Sequence, residues 1–346
     1  MNHIIVEDAR NIIKNNPSLK KIKNSSFGIT GASGMIGSYI ISTLIVLNKE
    51  YNANNKIIAF VRNKNKLDKS FFEDKNFETI IYDVTNPLNC DIKIDYFIHA
   101  ASPASPIIMK NRPFETNLAN TVGCANTLKF SIQNKVKKFL FISSREIYGQ
   151  PNANQEYFYE DGELGYVDNL IPRNGYAEGK RAAENMCISC KEEYGLDTKI
   201  VRLAHTYGPY MSINDGRVQA DFLKNIVNHE NIVMKSSGES VRTYTYVGDA
   251  VTAIFKVLLD SKDIVYNISS PESKVTIREL AERLVNLYKD RGIKLVTNID
   301  NSNNKGNASF TLGILSSDKI EKELNWKSIY SIEEGFKRTI NYIENN

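Results

Sequence analysis

Tyr176-Ala177-Glu178-Gly179-Lys180 sets a phenol and an ammonium four residues apart, which on a helix places both on one face. A free tyrosine ionises near pH ~10 and is a weak base at neutrality; a neighbouring ammonium favours the phenolate and moves it toward the working range. Such a pair takes the proton of a hydroxyl as its carbon is oxidised. Upstream, Phe141-Ile142-Ser143-Ser144-Arg145-Glu146-Ile147-Tyr148-Gly149 carries Ser144 at the end of an apolar run, where its hydroxyl would hold the reacting alcohol and help hand its proton to Tyr176. Glu146 has two readings. It is a base for the acidic proton beside a newly formed ketone, or it pairs structurally with Arg145 or another cation.

A departing hydride needs an acceptor, and the sequence offers a place for one. Phe27-Gly28-Ile29-Thr30 leads into Gly31, Gly34 and Gly37, spaced by three, and then into the apolar stretch Met35 to Leu47. Glycines let backbone amides approach a pyrophosphate, which sits on the positive end of the following helix. Gly31, Ser33, Gly34, Met35, Ile36 and Gly37 are therefore expected to hold a dinucleotide. Asp83 and Val84, after the third apolar run, suit an adenine contact. Ala100, Ala101 and Ser102, small residues at a strand end, would let the dinucleotide pass close. An acidic residue at the end of the second strand would favour NAD; Arg62 stands there and would clamp a 2′-phosphate. The expectation is NAD(P), with NADP favoured, against a merely solvated Arg62.

Stepping outward, near-continuous apolar runs at 27–30, 56–61, 77–84, 93–102, 137–144 and 198–208 alternate with helical stretches, notably 35–47 and 114–133. Strands of this kind form a parallel sheet covered on both faces. The expected fold is α/β, a Rossmann-type doubly wound parallel sheet over residues 25–204. A helical extension over 1–24 precedes it, with apolar spacing at 5–16 predicting a short helix. A smaller, partly interleaved C-terminal α/β substrate lobe over 205–346 follows, with helices at 218–228, 276–289 and 333–343. The Asn/Ser-rich stretch 298–308 reads as a mobile surface loop, and Trp326 as an anchor of the C-terminal lobe.

With 346 residues and 42% hydrophobic content, the chain is long enough for such a core. Its 44 basic and 40 acidic residues nearly balance, and the cluster Lys135, Lys137, Lys138 lacks an aromatic platform, which argues against nucleic acid as a partner. No apolar run reaches the ~18–20 residues that span a bilayer. The N-terminus lacks a leader pattern and four cysteines make no disulfide framework, so a cytoplasmic location and no membrane partner are expected. Cys187-Ile188-Ser189-Cys190 falls inside the helix that starts at Tyr176, with no second ligand pair, and reads as packing. His3, His99, His205 and His229 lack metal-ligand spacing, and no metal is expected; His205 is a candidate for the site or for a structural role.

On the glycine loop, Ser144 ahead of Tyr148-Gly149, and the Tyr176–Lys180 pair, the chain resembles the extended short-chain dehydrogenase/reductase family over roughly residues 25–340. These are the nucleotide-sugar epimerases, dehydratases and decarboxylases. The resemblance implies oxidation at C4 of a nucleotide-diphosphate sugar to a 4-keto intermediate. It places Lys180 also on the nicotinamide ribose and Asn120 on a helix lining the cofactor site. It further implies a homodimer built on the helix 114–133 and the Tyr176 helix.

The branch most resembled is the UDP-glucuronate decarboxylases. His99-Ala100-Ala101-Ser102-Pro103-Ala104-Ser105-Pro106 is similar to a strand-end motif there, and Asn214-Asp215-Gly216-Arg217-Val218 to a substrate loop. Arg242 is similar to an arginine on the nucleotide diphosphate, a task that suits a bidentate guanidinium. The implied substrate contacts are Ser102, Ser144, Arg145, His205, Arg217, Val218 and Arg242. Three departures stand out. His205 replaces an asparagine, and Arg145 replaces a small or acidic residue. Gly313-Ile314-Leu315-Ser316-Ser317 stands where an Arg-Lys-Pro-Asp run would hold the substrate carboxylate. Because Glu146 matches the dehydratases and decarboxylases, a lyase-type fate of the keto sugar is favoured. A 4-epimerase, a C4 dehydrogenase or ketoreductase, and a dinucleotide-binding regulator without turnover are the alternatives.

Overall fold

In the computed structural model, which describes residues 1–298 and 313–345, the apolar runs become strands of one sheet. Its members are β1 (Ser26–Thr30), β2 (Lys56–Val61), β3 (Phe77–Ile81), β4 (Tyr96–His99), β5 (Lys138–Ser144), β7 (Asp197–Leu203) and β11 (Val265–Ile268). All neighbours pair in parallel, in the order β11-β7-β5-β4-β1-β2-β3. Such strands alternate no polar face because both faces are covered by helices. The Rossmann-type α/β fold expected from the sequence is the fold that forms.

Covering the sheet are α3 (Met35–Tyr51), α5 (Pro113–Gln133), α6 (Gly175–Tyr194) and α8 (Val247–Asp260), which follow α1 (His3–Lys14), α2 (Pro17–Lys21) and the short α4 (Pro106–Asn111) at their places in the chain. α3 is buried from Gly37 to Asn48, as its unbroken apolar sequence requires. The sequence reading did not find α8 or β11. α8 is buried continuously from Val247 to Phe255, yet Thr252, Lys256 and Asp260 recur every four residues among apolar neighbours, a helical signal that the sequence reading passed over.

Three expected strands are shorter or divided, and the run 77–84 is extended only over β3. The run 93–102 is extended only over β4. The run 198–208 breaks at Ala204, where the chain leaves the main sheet, and β8 (His205–Tyr207) begins a second sheet with β10 (Val241–Tyr246) and β12 (Lys274–Thr276). Short parallel pairs join β6 (Tyr157–Phe158) to β14 (Ile314–Leu315) and β9 (Ile232–Met234) to β13 (Leu295–Thr297). α7 (Val218–Val227), α9 (Ile277–Leu287) and α11 (Ile332–Glu344) complete this second layer, while α10 (Asp318–Leu324) packs on β11 and α8 of the main sheet. Trp326 is fully buried and donates its indole N–H to the Asp249 carbonyl at 3.1 Å. The loop read at 298–308 lies, beyond Asn298, outside the described residues.

The N-terminal helix is fastened by one carboxylate. Asp8 is fully buried; its Oδ2 accepts from the hydroxyls of Tyr39 (2.7 Å) and Tyr246 (2.6 Å), and its Oδ1 from Tyr330 (2.8 Å) and the Arg338 guanidinium (2.7 Å). Four elements far apart in sequence thus share one acceptor. Removing one member of a buried ionic cluster strands the others. Asp8→Ala is expected to cost about 3 kcal/mol or more of unfolding free energy in a denaturant titration; a loss below about 1 kcal/mol, the scale of an exposed pair, would show that the cluster does not hold the helix.

Candidate active site

Strand order reverses beside β1: the chain winds outward through β2 and β3 on one side and through β4 and β5 on the other. Connections leave β1 and β4 in opposite directions, so a crevice opens beyond their C-terminal ends. A cleft of about 1660 Å³ begins there and runs to the second layer. On its near side lies the glycine loop. Gly31 adopts φ +66°, and a Cβ on it would meet the Ala100 carbonyl oxygen at 2.5 Å; a Cβ on Gly37 would meet the Gly31 carbonyl oxygen at 2.4 Å. These two glycines let loop, helix and the β4 end touch. Gly34 differs, since a Cβ there meets only the Gly31 oxygen, at 3.3 Å, and its open side faces the cleft. Gly34 is also the N-cap of α3 and no side chain caps that end. A long helix with an uncapped, glycine-walled N-terminus at a switch point fits a dinucleotide pyrophosphate.

Ser144, at the end of β5, hydrogen-bonds the Tyr176 hydroxyl, while its Oγ also accepts from the Glu146 amide at 3.2 Å. Tyr176 begins α6, and Lys180 follows one turn on. Its Nζ donates to the Ile142 carbonyl at 2.7 Å and lies 6.0 Å from the Tyr176 ring centre and 4.5 Å from that of Phe141. Burial lowers Lys180 to about 8. The phenol of Tyr176 is raised above its ordinary value by burial and by the Glu146 charge; Ser144, Arg217 and Arg173 oppose this.

The sequence reading missed Arg173. It stands three residues before Tyr176 and grips Glu146 with both terminal nitrogens, Nη2 to Oε1 at 2.9 Å and Nη1 to Oε2. Both side chains are largely buried. Arg145, proposed from sequence as one possible partner of Glu146, bonds instead to His205 and to the Gly313 carbonyl. Only the position of Arg173 one short turn from Tyr176 could have pointed to it; no motif does.

Charge on the cleft wall is uneven. Arg217 pairs with Asp215 at 2.7 Å, Lys235 with Asp221 at 2.9 Å, and Lys274 with Glu156. With Glu146 taken by Arg173, the guanidinia of Arg145 and Arg242 and the ammonium of Lys180 have no carboxylate within ion-pair distance among the described residues. Val218 opens α7 beside Arg217 and lines the same cleft.

The structure thus brings together Ser33, Met35 and Ile36 of the glycine loop, Ala100 and Ser102, the Ser144–Glu146 segment, Tyr176, Lys180, His205, Arg217, Val218 and Arg242. Other expected residues stand apart from that lining. Asn120 is fully buried, and its Oδ1 accepts from the Ser102 hydroxyl at 2.8 Å, so it reaches the cleft through Ser102. Ala101 is held behind the strand ends, its amide directed to Thr30 at 3.3 Å. Arg62 is exposed at the end of β2, near Asp83, which accepts from Thr85 in a local turn; Val84 packs on the Gly123 backbone of α5.

Fold and glycine loop together suit a dinucleotide-binding enzyme. Residues 28–269 match the NAD dependent epimerase/dehydratase family, and the chain belongs to it. It is an NAD-dependent enzyme of that family. It is similar to UDP-glucuronic acid decarboxylase 6 of Arabidopsis thaliana, 30% identical over 331 residues, covering 92% of this chain and 91% of the relative. Similarity to UDP-glucuronic acid decarboxylase 1 of Xenopus tropicalis is 29% over 319 residues, covering 91% and 71%. Among solved structures, a UDP-glucose 4-epimerase of Thermotoga maritima superposes with TM-score 0.76 at 23% identity over 92% of this chain and 99% of the other. A dTDP-glucose 4,6-dehydratase of Streptomyces venezuelae, with NAD bound, gives 0.78 at 20% identity over 93% and 97%.

The glycines separate two effects. Gly34→Val is expected to lower the melting temperature only slightly, through the helix cap and the Gly31 carbonyl, while weakening NAD binding about tenfold or more, because most of the side chain enters ligand space. Gly31→Ala is expected to lower stability as well, through its positive φ and the Ala100 contact. Calorimetry and thermal melting distinguish them; equal NAD affinity in Gly34→Val would place the pyrophosphate elsewhere.

Proposed function

We propose that this enzyme oxidises C4 of a nucleotide-diphosphate sugar and carries the resulting 4-keto sugar through a lyase-type step. The observation that carries this is the meeting of Ser144, Tyr176 and Lys180 at the crevice fronted by the glycine loop. Ser144 orients the 4-hydroxyl and Tyr176 takes its proton, while Lys180, fixed on the Ile142 carbonyl, keeps positive charge close behind. Gly31, Gly34 and Gly37 would hold the pyrophosphate. An oxidised nicotinamide dinucleotide, when bound, supplies the acceptor for the hydride from C4. The curated relatives act on UDP-glucuronic acid by name, and Arg242, which has no carboxylate partner among the described residues, suits a diphosphate; Arg217, held by Asp215, is a second proposed contact.

Glu146 is the proposed base for chemistry at C5, with Arg173 holding its carboxylate in place. That same clamp favours a second reading, a 4-epimerase, because a carboxylate gripped on both oxygens has little basicity to spare and epimerisation removes no C5 proton. Glu146→Gln separates them: in the lyase, product formation stops while dinucleotide reduction continues; in the epimerase both persist.

Two finer proposals concern partners. Arg62 is assigned to a 2′-phosphate, making NADP the preferred dinucleotide; Arg62→Ala should then weaken NADP about tenfold and leave NAD untouched. Exposed apolar side chains along α5 and α6, among them Phe114 (73% exposed), Val122 and Ile188, are proposed to pack against a second copy. Light scattering should return a dimer mass that Phe114→Asp reduces to a monomer.

The base must be deprotonated and Lys180 protonated for oxidation. Tyr176 is raised above its ordinary value and Lys180 is lowered to about 8, so the two conditions overlap best on the alkaline side. The kcat/KM profile is expected to rise from neutrality, peak above pH ~8 and then fall. A maximum at or below pH ~7 would contradict it. Tyr176→Phe should lose about 10³-fold in kcat with dinucleotide affinity retained.

A further inference from the structure

Arg145 and His205, both departures from the family pattern, are far apart in the chain and touch in the structure. Arg145 Nη2 donates to His205 Nε2 at 2.7 Å, and Nη1 donates to the Gly313 carbonyl oxygen at 3.3 Å. A guanidinium has only donors, so Nε2 is the acceptor and the imidazole is neutral, its proton on the buried Nδ1. Burial and the guanidinia of Arg145, Arg242 and Arg217 hold His205 well below its ordinary value, which agrees with that tautomer. The two substitutions are one device: the imidazole fixes the guanidinium.

What the device lacks is a negative charge. Arg145 is only 8% exposed, yet both of its partners are neutral. Glu146, next in the chain, has both oxygens on Arg173. A buried cation without a counter-charge is costly in the empty site and is compensated when an anion arrives. Arg145 lines the cleft directly after Ser144, whose hydroxyl is proposed to hold the 4-hydroxyl, and this chain adjacency points it to the sugar, with Arg242 close by on the same wall. Its fork of N–H donors matches a planar, two-oxygen acceptor.

We propose that Arg145, positioned by His205, is the receptor for a carboxylate on the sugar, so that this enzyme selects acidic sugars over their neutral counterparts. This rests on the nucleotide-sugar reading above. Selection works in both directions: a carboxylate satisfies the guanidinium, and a hydroxymethyl group in its place leaves the buried charge uncompensated.

The NAD-loaded enzyme is titrated calorimetrically with UDP-glucuronate and with UDP-glucose, which differ only at C6. The wild type should bind the acid at least about tenfold more tightly, the worth of a hydrogen bond to a charged group. In Arg145→Met the preference should vanish, with UDP-glucose affinity kept within about threefold. His205→Asn, should Arg145→Met not fold, is expected to shrink the preference by about threefold or more while Arg145 remains. Equal binding of the two sugars by the wild type overturns the proposal. So does an equal loss for both sugars in Arg145→Met, which would place the guanidinium on the diphosphate. With Arg145→Met unfolded, an intact preference in His205→Asn overturns it as well. Failure of both sugars to bind, with NAD still bound, overturns the nucleotide-sugar reading itself and the receptor with it.

Discussion

A parallel sheet that reverses its winding beside β1 cannot cover the ends of β1 and β4, and everything chemical in this molecule is built around that opening. The opening survives only if the two strand ends stay in register and no side chain fills it. Thr30 and His99, the last residues of β1 and β4, are register partners and bond side chain to side chain at 2.9 Å. Burial, and then the Lys180 charge, lower His99 to about 3, so the tie is between neutral groups across the pH range in which the protein works. Above it, Gly31 lets the loop rest on the Ala100 carbonyl. The crevice floor is thus set by one neutral histidine and one residue without a side chain.

Positioning the tyrosine against the serine is a separate problem, since Ser144 ends a strand and Tyr176 starts a helix. Behind them, Glu184 on α6 accepts from Ser143 on β5 and from Arg202 on β7, which also donates to Tyr148 at 2.7 Å. Strand, helix and next strand are joined by a buried network whose members are all bonded. Satisfied networks of this kind specify one arrangement, and a single lost partner leaves several polar groups unpaired. The Ser144–Tyr176 hydrogen bond is a consequence of that frame.

The sequence carried the main sheet plainly, because buried parallel strands are apolar runs and the helices between them have the right length. The glycine loop and the Ser144, Tyr176 and Lys180 set were also legible, since their spacing is fixed by local geometry. α8 was legible but passed over, since Thr252, Lys256 and Asp260 recur every four residues in it, and β11 is only four residues long. The partnerships of the site were hidden for another reason. Arg173 with Glu146 and Arg145 with His205 depend on which guanidinium the fold turns toward which acceptor, and neighbours in the chain mislead: Arg145 lies beside Glu146 yet pairs sixty residues away.

Those hidden partnerships also bear on the Tyr176 phenol. The Lys180 ammonium lies one turn from it, fixed on the Ile142 carbonyl, and other charged groups reach it as well. Glu146 raises the phenol; Ser144 and Arg173, from the main layer, and Arg217, from the loop leading into α7, lower it. Arg217 is itself oriented by Asp215 and by the Ala104 carbonyl that follows β4. The proton affinity of the Tyr176 phenol is therefore a property of both layers at once. A cleft whose second-layer wall acts on a phenol at the end of the main sheet cannot be divided into two independent halves.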